Sequence, residues 1–307
     1  MRIFLTGATG YIGGAVLEAF GRAGHDVTVL VRNPARLTGT PSRHARLVSA
    51  DLAEPSTWAD TLPGHDVLIH TALEASARGP AVDRAALDTL VAEGRRAAGD
   101  GRTVTMIYTS GVWVLGHTTQ PADEDAPLAP TPLMAWRPAH EQMITDANRD
   151  GLRTAVIRPG IVFGGARGIV SELMRDAANG LIRVVGSGQN RWPLVYVRDL
   201  AELYVRVATT PAASGIFHAT DDSDERVMDI VDAIAHHLPV KPDVRHVPIK
   251  EARAKYGAYA DAITLDQVVR SPRSRAIGWH PLFNSISANV SRVFEEWRLG
   301  NENGVGS

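Results

Sequence analysis

Several features that define common protein classes are missing from this chain of 307 residues. Cysteine is absent, which excludes disulfide bridges, cysteine-ligated zinc sites and a thiol nucleophile. No apolar run is long enough to cross a bilayer, and the N-terminus lacks the apolar segment of a signal peptide. The 32 basic and 34 acidic residues nearly balance, so the totals do not favour nucleic acid as a partner. We expect a cytoplasmic monomer or homodimer that binds a small-molecule substrate, with no metal, membrane or nucleic-acid partner.

Lysine is scarce, with only Lys241, Lys250 and Lys255 in the whole chain. The first 240 residues therefore contain none, and their basic charge is carried almost wholly by arginine. No lysine stands four residues after a tyrosine, the spacing that places two side chains one helical turn apart. The sequence thus excludes the arrangement in which a lysine one helical turn after a tyrosine lowers the pKa of the phenol.

Apolar strands and amphipathic helices alternate through the first half of the chain. Strands are predicted at residues 2–6, 27–31, 47–48, 67–70, 104–109 and 154–157, and helices at 12–23, 81–98 and 134–148. This alternation predicts an α/β fold with a doubly wound parallel sheet of the Rossmann type and a smaller C-terminal substrate lobe. Short strands are predicted at 195–197 and 216–218, and helices at 226–238 and 264–270. We assign the dinucleotide-binding domain to 1–164 and 195–220, the substrate lobe to 165–194 and 221–299, and a frayed tail to 300–307.

A glycine-rich turn joins the first predicted strand to the first predicted helix. Such a turn brings backbone N–H groups and the positive end of a helix dipole toward an anion, as a dinucleotide pyrophosphate requires. A side chain at Gly7 or Gly10 would take the space of the pyrophosphate, so we expect bulky substitutions there to abolish binding and to leave the fold intact. The predicted contacts are Thr6, Gly7, Thr9, Gly10, Tyr11, Ile12 and Gly13.

The end of the second predicted strand discriminates between the two nicotinamide dinucleotides. An acid there binds the ribose 2′-hydroxyl of NAD, whereas an arginine accommodates the 2′-phosphate of NADP. This chain has Arg32 and Asn33 at that position, with Arg36 close behind and no acid. The sequence therefore predicts that NADP(H) is preferred over NAD(H).

The glycine turn resembles the TGxxGxxG fingerprint of the extended short-chain dehydrogenases/reductases, the NAD(P)-dependent epimerase/dehydratase-like family. Other segments agree in order over residues 1–220: Asp51-Leu52, His70-Thr71-Ala72, Tyr108-Thr109-Ser110-Gly111, Arg158 to Gly164, and Val197-Arg198-Asp199-Leu200. The resemblance implies that Asp51 faces the adenine and that the segment after Pro159 faces the nicotinamide. The further cofactor contacts that it implies are Asp51, Leu52, Thr71, Ala72, Thr109, Ser110, Pro159, Gly160, Ile161 and Val162.

The chain departs from this family at the Tyr-x-x-x-Lys pair. One register places Leu133 at the tyrosine position and Arg137 at the lysine position, and a second places Trp136 and His140 there. We favour the first, because the second leaves the segment between helix and strand short. Arg137 would then hold the cofactor ribose, but it stays protonated and cannot pass a proton. Gly111 stands where the family has its serine, with Ser110 one position earlier.

Without the usual tyrosine, the proton donor must be another group. The candidates are His117 and His140, because histidine is a common general acid. The others are the strand residue Tyr108, Ser110, and bound water. The predicted substrate contacts are Gly111, Trp113, Trp136, Arg191 and Trp192. Together these residues favour an NADP(H)-dependent oxidoreductase of a small or medium organic carbonyl, enone or imine. The alternatives are a non-redox isomerase, dehydratase or cyclase on the same fold, and an inactive NADP(H)-binding regulator.

Overall fold

The computed structural model describes residues 1–37, 45–118 and 120–304. Its strands are β1 (Arg2–Thr6), β2 (Asp26–Val31), β3 (Ala45–Ser49), β4 (Val67–His70), β5 (Val104–Thr109), β6 (Leu152–Pro159), β7 (Ile161–Phe163), β8 (Leu181–Val185), β9 (Leu194–Tyr196), β10 (Gly215–Ala219) and β11 (Asp243–Val247). Its α-helices are α1 (Tyr11–Arg22), α2 (Gly79–Gly99), α3 (Arg137–Asp146), α4 (Ile169–Ala178), α5 (Val197–Thr209), α6 (Val227–His237), α7 (Ile249–Tyr256), α8 (Tyr259–Ile263), α9 (Pro272–Ala276) and α10 (Val290–Gly304). None of the helices in these ranges is long and apolar enough to cross a membrane.

The central sheet has seven strands in the order β10-β6-β5-β4-β1-β2-β3. Every pairing within it is parallel, and Thr6 at the end of β1 is in register with His70 at the end of β4. The order reverses between β1 and β4, which is the switch point where doubly wound sheets bind their ligands. The predicted fold class is confirmed, and the sequence order places the glycine turn at this switch point.

Apolar residues on both faces explain why these segments pair as inner strands. All four residues of β4 are buried, and β1 buries all but its first residue. Strands covered on both sides by helices need continuous apolar runs of this kind. Helices α1 and α5 pack on one face of the sheet, and α2 and α3 cover the other. A separate apolar cluster forms around α4, α6, β8 and the first turns of α10.

Two predicted elements after residue 220 are wrong. Residues 264–270 are not helical, since α8 ends at Ile263 and the following segment is irregular, with an isolated bridge between Ala122 and Val269. The predicted frayed tail is helical through Gly304, because α10 continues and its Phe294 and Trp297 pack on the cluster around α4 and α6. Residues 305–307 of that tail lie outside the described residues. The bounds of the two lobes stay a prediction.

Three buried carboxylates hold the segment that leads into α10. Asp199 accepts hydrogen bonds from the backbone N–H groups of residues 282 and 283, at 3.0 and 2.9 Å. Asp221 accepts from the N–H of Ser285 at 3.3 Å, and Glu225 accepts from the N–H groups of residues 286 and 287 at 2.6 and 2.9 Å. We call these three residues the carboxylate latch, because they fix the backbone of residues 282–287 from two other parts of the chain, the first turn of α5 and the segment just before α6.

Candidate active site

The glycine turn has the shape that a phosphate-binding loop needs. Gly7 has a φ of +82°, and a Cβ atom built there would lie 2.6 Å from the backbone nitrogen of Ala72. Gly10 caps α1 without a side-chain hydrogen bond, and the first turn of α1 contains no acid. The first N–H groups of a helix have no partner inside it, so they and the positive end of the helix dipole are free to bind an anion.

This geometry corrects one expectation about the glycines. Any side chain at Gly7 would overlap the backbone of the neighbouring strand end and would also need an unfavourable φ. A substitution at Gly7 therefore disturbs the fold itself. At Gly10 the nearest atom to a built Cβ is the Gly7 carbonyl oxygen at 3.0 Å, so Gly10 is the milder position for testing the predicted pyrophosphate site.

A cleft at the C-terminal ends of β1 and β4 extends from this turn, and we call it the glycine-turn cleft. Its lining residues are Thr6, Gly7, Thr9, Gly10, Tyr11, Ile12, Gly13, Leu30, Arg32, Ala50, Asp51, Leu52, Thr71, Ala72, Leu73, Glu74 and Ala75. Arg32 thus lies on the cleft wall, whereas the predicted contacts Asn33 and Arg36 are not among the lining residues. The Asn33 side chain instead accepts a hydrogen bond from the Ala35 N–H at 3.0 Å and caps a short 3-10 helix.

A second cleft of about 270 Å³ adjoins the first through Tyr11 and Ile12, and we call it the apolar cleft. Its lining residues are Tyr11, Ile12, Ser110, Gly111, Val112, Trp113, Met134, Arg137, Pro159, Gly160, Ile161, Val162, Gly168 and Ile169. Among the described residues, no carboxylate, histidine or lysine lines it. The structure therefore brings together the predicted residues of the segments 110–113 and 159–162 with Arg137.

Ser110 and Arg137 are the polar groups in the apolar cleft that lack a full set of partners. The Ser110 hydroxyl is buried and has no hydrogen-bond partner in the described part of the chain. Arg137 is 7% exposed, and its Nη1 donates to the Tyr108 hydroxyl and to the Thr109 carbonyl, both at 2.9 Å. The guanidinium lies over the ring of Trp136, 4.4 Å from its centre, so Trp136 supports Arg137 instead of lining the cleft.

Tyr11 also reaches the apolar cleft, but its phenol is already committed. It donates a hydrogen bond to the Gly164 carbonyl at 2.6 Å. Burial raises the pKa of the Tyr11 phenol above its ordinary value, with Tyr196 adding to the effect. A phenol is a poor acid at neutral pH when its pKa is raised and its proton is already donated in a hydrogen bond.

Behind the apolar cleft lies a buried network centred on Asp83, a residue that the sequence did not single out. Asp83 accepts hydrogen bonds from His140 Nδ1 at 2.7 Å, from the Tyr108 hydroxyl at 3.0 Å and from His70 Nε2 at 3.2 Å. The other His70 nitrogen bonds to the Thr6 hydroxyl at 2.7 Å. Arg137, the α3 residue that lines the apolar cleft, donates to Tyr108. The network therefore connects Thr6 at the end of β1 with Arg137.

The network stabilises the ionised form of Asp83 and the neutral form of Tyr108. Burial opposes ionisation of Asp83, but hydrogen bonds from His140 and His70 outweigh it and hold the Asp83 pKa below its ordinary value. Burial raises the pKa of Tyr108 above its ordinary value, although Arg137 acts in the opposite direction. Tyr108 is fully buried and His140 does not line either cleft, so the structure argues against direct proton donation by these two predicted candidates.

The remaining predicted residues have structural partners outside the apolar cleft. Asp266 pairs with Arg191, whose Nε and Nη2 lie 2.8 and 2.7 Å from the two carboxylate oxygens. Trp192 is buried and donates to the Ile263 carbonyl at 2.9 Å, and the Asp266 N–H donates to His117 Nδ1 at 3.1 Å. The Thr109 side chain bonds to the Tyr204 hydroxyl at 2.6 Å. The predicted substrate roles of Arg191 and Trp192, and the predicted donor role of His117, therefore gain no support from their placement.

A model of the NAD dependent epimerase/dehydratase family matches residues 3–219, which is more than half of the chain. The chain belongs to this family. The resemblance predicted from the glycine turn is thereby confirmed. Membership supports an NAD(P)-dependent enzyme in general, and the sequence shows that this member has no Tyr-x-x-x-Lys pair.

Two curated relatives and one solved structure illustrate the range of similar proteins. A 4-hydroxy-2-methyl-3-oxo-4-farnesyl-3,4-dihydroquinoline-1-oxide ketoreductase from Stigmatella aurantiaca is 26% identical over 83% of this chain and 78% of its own. A 2-alkyl-3-oxoalkanoate reductase from Stenotrophomonas maltophilia is 28% identical over 70% and 68%. The crystal structure of human epimerase family protein SDR39U1 with NADPH superposes with a TM-score of 0.78 at 19% identity, covering 96% and 99% of the two chains.

Proposed function

We propose that this protein is an NADP(H)-dependent oxidoreductase that reduces the carbonyl group, or the conjugated or imino counterpart, of a small and largely apolar substrate. The observation that carries the proposal is the continuity of the two clefts. A glycine turn shaped for a dinucleotide leads directly into an apolar cleft with two polar groups. These are the Ser110 hydroxyl, which has no partner among the described residues, and the Arg137 guanidinium, which Tyr108 and Thr109 hold through Nη1. Two curated relatives are named as reductases of 3-oxo compounds, which supports the same reaction class.

The residues present fit a dinucleotide cofactor. The uncapped start of α1 offers N–H groups to a pyrophosphate, and the close packing at Gly7 keeps that turn free of side chains. Arg32 stands on the wall of the glycine-turn cleft at the end of β2, where its guanidinium would pair with a ribose 2′-phosphate.

The side chains of the apolar cleft would then orient and polarise the substrate. A bound reduced nicotinamide supplies the hydride in such enzymes. The Ser110 hydroxyl would donate a hydrogen bond to the substrate oxygen. Arg137, at the position of the family's lysine, would hold the cofactor ribose without giving up a proton. Because no titratable acid among the described residues lines the apolar cleft, apart from the occupied Tyr11 phenol, we assign the proton to water.

The test is a balance between cofactor and product. Purified protein is incubated with NADPH and a panel of apolar ketones, enones and imines, and loss of nicotinamide absorbance is compared with product measured by mass spectrometry. We expect one product molecule for each NADPH consumed, and a loss of rate in Ser110→Ala. Conversion of substrate without net NADPH consumption would instead establish an isomerase or dehydratase. Tight NADPH binding without any turnover across the panel would contradict the proposal.

A further inference from the structure

We propose that Asp83 is a positioning residue for the cofactor: through the Tyr108 hydroxyl it fixes the guanidinium of Arg137 at the apolar cleft. The inference rests on the proposed function in one respect, because that function assigns Arg137 to the cofactor ribose. Asp83 itself lines neither the apolar cleft nor the glycine-turn cleft, so it acts on a ligand there through its neighbours.

The fold fixes the Asp83 carboxylate from three directions. Thr6, His70 and Tyr108 are in register near the carboxyl ends of β1, β4 and β5. Helix α2 brings Asp83 within hydrogen-bond distance of His70 and Tyr108, at 3.2 and 3.0 Å. His140 reaches the same carboxylate from α3, at 2.7 Å. All five side chains are buried, so the carboxylate is held rigidly among donors from α3, β4 and β5.

The Tyr108 hydroxyl is the link between Asp83 and Arg137. It donates its proton to Asp83 Oδ2 at 3.0 Å, and its oxygen accepts a hydrogen bond from Arg137 Nη1 at 2.9 Å. An ionised carboxylate can only accept hydrogen bonds, so Asp83 determines where the phenol proton points. The oxygen lone pair is thereby left for Arg137, and the guanidinium is held in one orientation.

The charges of Asp83 and Arg137 balance across this hydroxyl. Within the described ranges, the hydrogen bonds of Arg137 go to two uncharged oxygens. The acid one turn further along α3, Glu141, is committed to Arg158. Burial raises the pKa of Asp83, but its histidine partners and Arg137 lower it, and the result lies below the ordinary value. Hydrogen bonds between such groups are stronger in a protein interior than in water, so the chain of contacts is rigid.

The ends of the hydrogen-bonded network reach the two clefts, whereas its middle does not. Thr6, which bonds to His70 at 2.7 Å, lines the glycine-turn cleft, and Arg137 lines the apolar cleft. Asp83 and Tyr108 lie between these ends in the interior. Residues that bind a ligand keep their geometry when buried hydrogen bonds behind them lock their side chains. The network has this relation to the predicted cofactor site.

The test compares two ligands that differ in the nicotinamide half. NADPH carries the ribose assigned to Arg137, whereas adenosine 2′,5′-bisphosphate has only the adenosine end. Both are titrated calorimetrically into wild type, Tyr108→Phe and Asp83→Asn. We expect each variant to bind NADPH about tenfold more weakly, as is typical when a hydrogen bond to a charged group is lost, and to bind the bisphosphate within about twofold of wild type. NADH and adenosine 5′-monophosphate are titrated in the same way, so the result does not depend on the preference for NADP(H).

A double variant shows whether Asp83 acts through Tyr108. Without the hydroxyl, the carboxylate has no hydrogen-bonded route to the guanidinium. Adding Asp83→Asn to Tyr108→Phe should therefore cause no further loss of NADPH affinity, whereas losses that add would mean that Asp83 acts by another route and that the proposal is wrong. Tyr108→Phe removes a single oxygen atom and decides the question alone if Asp83→Asn does not fold: an unchanged ratio of the two affinities overturns the proposal.

Tyr204→Phe is the matched control. Tyr204 is fully buried like Tyr108, but its hydroxyl bonds to the Thr109 side chain and not to Arg137. We expect the control to lower the free energy of unfolding about as much as Tyr108→Phe and to leave the ratio of NADPH affinity to bisphosphate affinity unchanged. An equal change of this ratio in Tyr204→Phe would show that any loss of packing at this depth moves it, which contradicts a specific role for Asp83.

Arg137→Met separates the role of Asp83 from the proposed function. It removes the side chain that is positioned, so it should weaken NADPH binding at least as much as Tyr108→Phe does. If Arg137→Met leaves the ratio of affinities unchanged, Arg137 does not hold the ribose and the role of Asp83 fails, whereas reduction of the substrate panel by NADPH can still be observed. If the ratios change as expected but no substrate is reduced, the role of Asp83 stands and the proposed reaction fails.

Discussion

Replacing Glu141 by glutamine should destabilise the protein far more than a change of one atom type suggests. Glu141 pairs with Arg158 through contacts of 2.6, 3.1 and 3.2 Å, and the two side chains are 3% and 2% exposed. Among the described residues, the other hydrogen-bond partner of Arg158 is His218, at 3.3 Å, and burial lowers the pKa of His218 to about 3. A neutral imidazole cannot compensate the guanidinium, so the variant leaves a buried cation without a counter-ion. Removing one partner of such a pair costs about 3–5 kcal/mol.

The matched control is Asp88→Asn. It makes the same change from carboxylate to amide in an exposed ion pair, whose two residues lie one helical turn apart on α2. Arg84 and Asp88 are 50% and 56% exposed, and such a pair contributes about 0.3–0.5 kcal/mol. Both variants are unfolded in urea, with tryptophan fluorescence and far-ultraviolet circular dichroism recorded on the same samples. We expect the free energy of unfolding to fall by several kcal/mol for Glu141→Gln and to change little for the control.

A double variant sharpens the experiment. Changing both partners to apolar residues, Glu141→Leu with Arg158→Met, removes the stranded charge and should recover much of the lost stability. The reasoning is refuted if Glu141→Gln costs no more than Asp88→Asn, or if the double variant is less stable than Glu141→Gln alone.

Three further predictions use other parts of the molecule. Arg32→Ala should lower the affinity for NADPH relative to NADH about tenfold to a hundredfold by fluorescence titration, and equal losses for both cofactors would contradict a 2′-phosphate contact. Gly13→Ala should lose about 1–3 kcal/mol of stability, because its Cβ would overlap the Gly7 carbonyl, while Gly14→Ala, with its nearest contact at 3.4 Å, should gain about 0.5–1 kcal/mol; similar urea midpoints would refute this. Burial raises the pKa of Asp221 from 3.8 to about 6, so its contribution to stability is present below pH 3.8 and is lost as pH rises toward 6. Asp221→Asn should flatten the pH dependence of unfolding in that window, and an unchanged slope would count against it.

The sequence predicted the first half of the fold because local patterns determine it. The predicted strands that correspond to β1, β2, β4 and β5 are short apolar runs. Such runs are typical of buried inner strands, so the pattern of each segment alone indicates its place. Helix α5 was missed although its buried residues Leu200, Leu203, Tyr204 and Val207 have clear helical spacing. Strands β8 and β11 carry arginine and histidine on exposed faces, and only their mutual pairing makes them strands.

The candidate site was predictable where it is made of consecutive residues. The glycine turn and the segments 110–113 and 159–162 line the clefts because each follows directly from the end of a strand. The structure gives the predicted roles of His117 and Arg191 no support, because both side chains engage Asp266, which lies 149 and 75 residues away in sequence. Asp83 was missed because a single acid in the first turns of a helix has no signature of its own. Only the tertiary approach of His70, Tyr108 and His140 gives it a role.

The carboxylate latch has a consequence for the order in which the chain is made. Asp199, Asp221 and Glu225 leave the ribosome well before residues 282–287, whose N–H groups they bind. A nascent chain that ends before residue 282 therefore lacks the N–H donors of residues 282–287, and among the described residues only Asp221 keeps nearby donors, the N–H and hydroxyl of Ser223. Such acids favour hydration over burial, so the partly synthesised protein keeps this side of the molecule open. We therefore expect this side of the molecule to finish folding only after residues 282–287 have been synthesised.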